Sequence, residues 1–461
     1  MSENAGKGGE KTELQRQLGL PETLSIVVNR IIGSGIFRTP APIMMITASV
    51  SMFYGAWILG GIATMLAALC YAELVAMIPK SGGPYVFLKA AYPPVVTFLR
   101  GWAMFFVSET GAIAAVALFF SENTVSLFLS GPAKLPVAGL AIAIVMLLTF
   151  INSLGIKLSG KLQNIFSLLK VAILVLIIAT AFSRGIHTAH FSTGATAVTG
   201  WAAVQAVFTA MRYCFFAYSG WEGATYVAEE VKNPSRNLPL SLFLGIGSVM
   251  LLYLLINSAY INLLGPGAMA ASKAVAVDSM KAILGSAGAL VVVGAIMINT
   301  FSNVNTQIFV KSRTWFAMSR DQLFFRRLAS LHPKYKTPNY ALYAQALWAA
   351  LLIAFSTLAQ SAYEAVIDYF SFTSAVFNVL TFASVFILRK KYPSLARPYK
   401  AWGYPFTLIL VLLIQITFMV VTLTTAFIPS LLGIALTGTG LLYYRYCVPR
   451  SVKDEATETP L

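Results

Sequence analysis

The sequence contains very few of the residues that build disulfide frameworks and metal sites. Only three of its 461 residues are cysteine, and only three are histidine. Cys70, Cys214 and Cys447 have neither CxxC nor metal-ligand spacing, and each lies within or at the edge of an apolar run. We therefore expect buried apolar thiols, with no disulfide framework, no metal site and no cofactor.

Charge is also scarce, which excludes an ordinary soluble domain. Charged residues make up 11% of the chain and apolar residues 57%, and the mean hydropathy is +0.74. About twelve apolar runs have the length of roughly 20 residues that crosses a hydrocarbon core. This composition predicts an all-α polytopic membrane protein with about 12 transmembrane helices, embedded in the lipid bilayer.

The basic residues indicate how the chain lies in the membrane. The formal net charge of +16 is spread over short loops and not gathered in one domain, so nucleic acid is not an expected partner. Basic residues cluster in alternate loops, which places both termini in the cytoplasm. Lys311 and Arg313 are assigned to the basic cytoplasmic continuation of the eighth span. We expect a multi-pass protein of the cell (inner) membrane.

The predicted domains follow from the distribution of polar and apolar residues. Residues 1–20 are predicted to be a disordered cytoplasmic tail, because they are polar and lack an apolar core. Residues 21–449 form one transmembrane domain, since the loops are short and contain no low-complexity linker. Residues 450–461 are predicted to be a second cytoplasmic tail.

The sequence does not predict an enzyme active site. Covalent or acid–base catalysis needs a nucleophile next to a base, or a metal. His187, His190 and His332 lie in predicted loops on opposite sides of the membrane, and no metal-ligand spacing is present. A channel is not indicated either, because rings of charge and carbonyl filters are not recognisable.

Two apolar runs are interrupted by small, helix-breaking residues. The first is IIGSGIF at residues 31–37, and the second is FAYSGW at residues 216–221. Lipid offers no partner for free backbone groups, so a helix can open at membrane depth only where the turn faces protein, water or a ligand. Interruptions in corresponding positions of two halves indicate a binding site near the bilayer midplane. The alternative is close helix packing through glycine.

The two interruptions together suit a zwitterion. An unwound turn at residues 33–35 would leave N–H groups at the start of the next half-helix, where an anion such as a carboxylate binds. Free carbonyl groups around Ile31, Phe216 and Ser219 would suit an ammonium group. An amino acid carries both groups, so the pattern is typical of an amino-acid site.

These strings and several others resemble the amino acid–polyamine–organocation (APC) superfamily, and particularly its L-amino-acid-transporter-like (LAT-like) branch. The other matching segments are residues 70–92, 152–171, 216–242, 303–322 and 386–400. The resemblance implies a LeuT-like five-plus-five inverted repeat with broken helices 1 and 6. It also implies a sodium-independent permease or exchanger of L-amino acids, mainly neutral ones, that works by alternating access. A proton-coupled amino-acid or polyamine antiporter or symporter, and a transporter-fold sensor, are the alternatives.

The resemblance also assigns the site residues. Ser34 and Gly35 would contact the substrate carboxylate, and the carbonyl groups at the two breaks would take the amino group. Phe216 would act as an aromatic gate, although an ordinary core or lipid-facing aromatic is the alternative. The full set of predicted substrate-binding residues is Ile31, Gly33, Ser34, Gly35, Phe216, Ser219, Gly220 and Glu222.

Lys170 is an ionisable residue inside the apolar run IFSLLKVAILVLII. Such a residue is costly in a membrane and by default suggests a function. The resemblance implies that it takes the place of the sodium ion of sodium-coupled relatives and could exchange a proton. The alternative is a side chain that extends to the membrane surface. Tyr253 matches a tyrosine that supports this coupling region.

Four charged residues depart from the pattern of the branch. They are Arg30, Glu109, Arg212 and Glu222. Buried charges are rarely left unpaired, so we expect the two acids to compensate one or both arginines near the site. Arg30 could also narrow the pocket or favour an acidic side chain. For Glu222, a proton-sensitive gate and a structural carboxylate are both open.

One partner is predicted to be missing. Animal members of this branch attach to a single-span glycoprotein by a disulfide, through a cysteine in the loop between spans three and four. The corresponding residues 122–134, ENTVSLFLSGPAK, contain no cysteine. We therefore expect no disulfide-linked heavy chain, and an amino acid as the small-molecule partner.

Overall fold

The computed structural model describes residues 14–449, except 127, 130–133, 184, 193–199, 273, 358–361 and 426. Within these residues the regular structure is helical, apart from one isolated β-bridge between Leu18 and Val231. The predicted all-α architecture is confirmed. The rest of the predicted tails, residues 1–13 and 450–461, lies outside the described part of the chain.

The described helices include short connecting helices as well as long spans. In chain order they are α1 (Leu20–Ile31), α2 (Gly35–Arg38), α3 (Pro40–Thr47), α4 (Val50–Met77), α5 (Pro84–Ala91), α6 (Pro94–Ala103), α7 (Glu109–Val125), α8 (Lys134–Ser153), α9 (Ile156–Phe182), α10 (Thr188–Ser192), α11 (Gly200–Tyr218), α12 (Pro234–Ala271), α13 (Val275–Leu284), α14 (Ser286–Arg320), α15 (Asn339–Ser356), α16 (Ala362–Lys391), α17 (Phe406–Thr425) and α18 (Phe427–Cys447). A π-helical turn, Met104–Ser108, joins α6 to α7.

Long apolar helices make up most of the described chain. Ten of them are long and apolar enough to cross a membrane. They are α4, the joined pair α6 and α7, α8, α9, α12, α14, α15, the Phe372–Lys391 part of α16, α17 and α18. The prediction of a polytopic membrane protein is confirmed, while the count of twelve spans and the five-plus-five layout remain predictions.

The two predicted interruptions are present as breaks in helical structure. Helix α1 ends at Ile31, and the chain resumes helical structure at Gly35. It then continues through Thr39, which has helical dihedral angles, into α3. Helix α11 ends at Tyr218, and a 3₁₀ segment, Trp221–Glu230, follows after Ser219 and Gly220. Each break therefore leaves backbone groups that need partners from elsewhere in the molecule.

Part of the predicted N-terminal tail is packed against the protein. Leu14 and Leu18 are buried. The backbone N–H of Leu18 donates to the carbonyl of Glu230 at 2.9 Å, and the N–H of Lys232 donates to the carbonyl of Leu18 at 2.8 Å. Burial of two leucine side chains offsets the entropy cost of ordering this segment. Residues 14–19 thus correct the predicted boundary of the disordered tail at residue 20.

A buried ion pair fastens the 3₁₀ segment to α14. Arg313 donates from Nε to Oε1 of Glu230 at 2.7 Å and from Nη2 to Oε2 at 3.1 Å, and both side chains are fully buried. Helix α14 continues to Arg320 and buries Arg313 inside the protein, which the sequence analysis did not predict for this basic continuation of the eighth span. Two parallel hydrogen bonds give this pair a fixed geometry.

The substitution Glu230→Gln should destabilise the protein strongly. It leaves the buried Arg313 guanidinium without a counter-charge, for which the expected loss of unfolding free energy is about 3–5 kcal/mol. Thermal unfolding of the purified protein in detergent measures the effect.

The matched control is Glu229→Gln, on the neighbouring residue. Glu229 pairs with Arg320 at 2.7 Å, and both side chains are partly exposed. Such a pair contributes about 0–1 kcal/mol, so this variant should unfold near the wild-type temperature. Equal losses in the two variants would show that burial does not set the strength of the Arg313 pair.

Candidate functional site

The two helix breaks cross each other in direct backbone contact. A Cβ atom added at Gly35 would lie 2.7 Å from the Cα of Ala217. Gly220 has φ of +95°, and a Cβ there would lie 2.9 Å from the carbonyl oxygen of Arg30. Only glycine combines this left-handed conformation with this approach. The crossing therefore explains why both breaks contain glycine.

A cavity of about 360 Å³ lies at the crossing. Its size is within the range of small-molecule sites, which extends from about 300 to 1,000 Å³. The structure brings together on its wall all eight predicted substrate-binding residues, which are Ile31, Gly33, Ser34, Gly35, Phe216, Ser219, Gly220 and Glu222. Phe216 lines the cavity and is 44% exposed.

The backbone carbonyl groups at the breaks are already partly used. The carbonyl of Ile31 accepts from the hydroxyl of Tyr253 at 3.1 Å. The carbonyl of Phe216 accepts from the backbone N–H of Ser219 at 3.2 Å and from its hydroxyl at 2.8 Å. A carbonyl oxygen has two lone pairs. The carbonyl oxygen of Ile31 therefore keeps one lone pair for a ligand. The carbonyl oxygen of Phe216 has both in use, and one is released when the Ser219 side chain turns away.

Lys170 is fully buried behind the first break. Its ammonium donates to the carbonyl oxygens of Asn29, at 2.9 Å, and Ile32, at 2.8 Å. Helix α9 is thereby fastened to the open end of α1. The alternative of a side chain that extends to the membrane surface is wrong, because Lys170 points into the protein and bonds there.

Tyr253 connects the two breaks to each other. Its hydroxyl on α12 lies 3.1 Å from the carbonyl of Ile31 and 3.2 Å from the carbonyl of Ala217. These carbonyls belong to the ends of α1 and α11, which the breaks leave open. Lys170 and Tyr253 do not line the cavity, and they act on it through the backbone that forms it.

The charged residues pair differently from the sequence expectation. Glu222 lies 4.0 Å from Arg30, as expected for a compensating acid. Glu109, however, forms a close ion pair with Lys311 and not with an arginine. Lys311 was expected in the basic cytoplasmic continuation of the eighth span. Helix α14 carries it into the cavity wall, with its ammonium 4.4 Å from the ring centroid of Tyr226.

Arg212 is not part of this site. It lies on α11, is partly exposed, and does not line the cavity. Arg212 was expected to belong to a charge group near the site, but the side chains that line the cavity do not include it. Cys447 also differs from expectation, since it is exposed at the end of α18, whereas Cys70 and Cys214 are buried.

Several cavity residues were missed by the sequence analysis. Asn303, Gln307 and Lys311 lie on one face of α14, and Arg100 lies on α6. Asn303 donates to the carbonyl of Arg30 at 3.3 Å, which satisfies another backbone group beside the first break. The i, i+4 spacing of polar residues along an apolar helix was the signal that could have identified the residues of α14.

The substitution Gly220→Ala should destabilise the crossing of the breaks. The side chain would be strained at φ of +95° and would press on the carbonyl of Arg30, at an expected cost of about 1–3 kcal/mol. Thermal unfolding in detergent measures this loss.

Gly294→Ala is the matched control. Gly294 lies within α14, and a Cβ there meets no atom within 4 Å. Alanine is the better helix former, so the control should be stabilised by up to about 1 kcal/mol. A Gly220→Ala variant that behaves like the control would show that the crossing does not require glycine.

Comparison with known proteins agrees with this architecture. The model of the family described as Amino acid permease matches residues 18–448. The b(0,+)-type amino acid transporter 1 of Oryctolagus cuniculus is 32% identical over 394 residues, which are 84% of this chain and 79% of that protein. The large neutral amino acids transporter small subunit 2 of Homo sapiens is 32% identical over 404 residues, 87% of this chain and 74% of that protein.

A third relative belongs to the same group. The Asc-type amino acid transporter 1 of Mus musculus is 32% identical over 399 residues, covering 85% of this chain and 74% of that protein. The family and these relatives are membrane amino acid transporters and not enzymes. The chain therefore belongs to the amino acid permease family of the APC superfamily, within which its similarity is to LAT-like transporters.

Proposed function

We propose that this protein is a sodium-independent transporter of L-amino acids with neutral side chains, which moves its substrate across the cell membrane by alternating access. The observation that carries the proposal is the cavity at the crossing of the two breaks, with the Lys170 ammonium bound to the backbone behind it. Both termini are proposed to be cytoplasmic.

The cavity offers a suitable place for each end of an amino acid. Backbone N–H groups at Ser34 and Gly35 begin a helix that continues through Thr39, and such a terminus stabilises a carboxylate. The free lone pair of the Ile31 carbonyl, with the carbonyls of Phe216 and Ser219, would accept from the ammonium group. The two ends of the substrate would then bridge the two breaks.

Sodium independence is supported by the position of Lys170. Carbonyl oxygens at the end of a broken helix are the groups that would hold a mobile cation. Here the oxygens of Asn29 and Ile32 accept from a tethered ammonium group. Since a charge already bound to the protein occupies this position, transport requires no sodium ion at it.

Alternating access is supported by ion pairs at one end of the bundle. Glu73 pairs with Arg389 at 2.6 Å, and Lys89 pairs with Asp321 at 2.7 Å. These residues lie near the helix ends that the basic loops predict to be cytoplasmic. In the proposed cycle these pairs would separate when the cavity opens on that side.

The protein is proposed to act without a disulfide-linked partner. Residues 122–134 contain no cysteine that could form the bond. The relative named large neutral amino acids transporter small subunit 2 is by that name a subunit, but the corresponding loop here lacks the attachment chemistry. Purified protein alone should therefore be active.

Transport into liposomes tests the proposal. Vesicles that contain the purified protein are loaded with unlabelled amino acids or left empty, and uptake of each labelled amino acid is measured with and without sodium and pH gradients. We expect uptake of neutral amino acids that does not change when sodium is replaced by choline. A requirement for sodium, or no uptake of any amino acid, would contradict the proposal.

The substitution Lys170→Met should lower the transport rate by at least about tenfold. It removes the ammonium group and leaves the carbonyls of Asn29 and Ile32 without their donor, a loss of buried hydrogen bonds to a charged group. The control is Lys161→Met, since Lys161 lies on the same helix but is exposed. Normal turnover in folded Lys170→Met protein would refute the coupling role.

A further inference from the structure

The cavity wall contains buried polar atoms that have no partner among the described residues. They include Nε and Nη1 of Arg100 and Oε1 of Gln307. Buried polar groups in folded proteins are normally hydrogen-bonded, and each one left alone is a cost to the fold. Unpartnered groups on two helices that line the same cavity point to a ligand that supplies the missing partners.

Arg100 is a cation without a matching acid. It is 3% exposed on α6, and its guanidinium lies 5.4 Å from the ring centroid of Phe377. The two acids of the cavity wall are already engaged, since Glu222 lies near Arg30 and Glu109 binds Lys311. Arg100 therefore offers hydrogen-bond donors that no described carboxylate accepts.

Gln307 offers the opposite kind of group. Asn303 donates to the carbonyl of Arg30, so its side-chain oxygen faces the other way, toward Gln307. Gln307 donates to that oxygen from Nε2 at 2.7 Å. The orientation of the Gln307 amide is fixed by this bond, and its Oε1 remains as an acceptor.

We propose that Arg100 and Gln307 are specificity-determining residues that recognise the end of the substrate side chain, and that the preferred substrates carry a side-chain carboxamide. Arg100 donates to the carbonyl oxygen of that group, and Gln307 accepts from its N–H. The inference rests on the proposed function and narrows its substrate class from neutral amino acids to those with an amide side chain.

The two nearest alternatives fit the wall less well. An apolar side chain of the same length satisfies neither Arg100 nor Gln307. A carboxylate satisfies Arg100 but brings no hydrogen to Oε1 of Gln307, so it leaves that buried acceptor without a donor and places a second acceptor oxygen beside it.

Competition in liposomes tests this inference on the wild-type protein. Uptake of labelled glutamine is measured against unlabelled glutamine, norleucine and glutamate, with labelled norleucine and glutamate in parallel. We expect the half-inhibiting concentration of glutamine to be at least about tenfold below that of the other two, the size of effect that one hydrogen-bonded group gives. Norleucine or glutamate binding as well as glutamine would overturn the inference.

Two variants separate the roles of the residues. Arg100→Met should lose the preference for glutamine over norleucine, because methionine has similar length but no donor. Gln307→Leu should reduce the preference for glutamine over glutamate, because the acceptor that a carboxylate leaves unsatisfied is removed. Arg236→Met, on an exposed residue of α12, is the control and should keep both ratios.

The outcomes distinguish the inference from the proposed function. If no amino acid is taken up, the proposed function fails. If amino acids are taken up but norleucine competes as well as glutamine, only the inference fails. Unchanged ratios in folded Arg100→Met protein would also overturn it. If a variant does not fold, the wild-type competition still decides, since it needs no substitution.

Discussion

The structure depends on the requirement that backbone groups exposed by a broken helix inside a membrane must find partners. Lipid supplies none, so each opened turn must be satisfied by protein. The ammonium of Lys170 binds the carbonyls of Asn29 and Ile32, and the hydroxyl of Tyr253 reaches Ile31. These side chains belong to α9 and α12. The break after α1 therefore fastens two further helices to the end of α1.

The sequence predicted the features that a short segment determines by itself. Glycines inside an apolar run identify a break without knowledge of the rest of the fold, and both predicted breaks are present at Gly35 and Gly220. Lys170 was recognisable for a similar reason, because a charge in the middle of a long apolar run must have a partner. What the sequence could not supply was the identity of the partner groups, which lie more than a hundred residues away.

The errors share one physical cause. Lys311 and Arg313 were assigned to the basic cytoplasmic continuation of the eighth span, without buried partners, because a cluster of charges usually marks the end of a membrane span. Here the helix continues, because Glu109 and Glu230 neutralise these charges from distant parts of the chain. Hydropathy estimates the free-energy cost of burying a charged residue that has no partner. In the structure, an ion pair with a residue distant in the sequence offsets that cost. Arg212 was misjudged in the opposite direction, since it does not line the cavity although it lies one helical turn before Phe216, which does.

The crossing of the two breaks also restricts how the site can move. Gly35 lies against the backbone of Ala217, and Gly220 lies against the carbonyl of Arg30, so a side chain at either glycine would push the breaks apart. The single hydroxyl hydrogen of Tyr253 is shared between the carbonyls of Ile31 and Ala217, one at each break. A ligand that enters the cavity therefore competes for carbonyl groups already in use, and its binding energy acts on the hydrogen bonds that keep the half-helices together. In the proposed transport cycle, this shared set of acceptors would couple occupancy of the cavity to movement of the half-helices, without a separate relay.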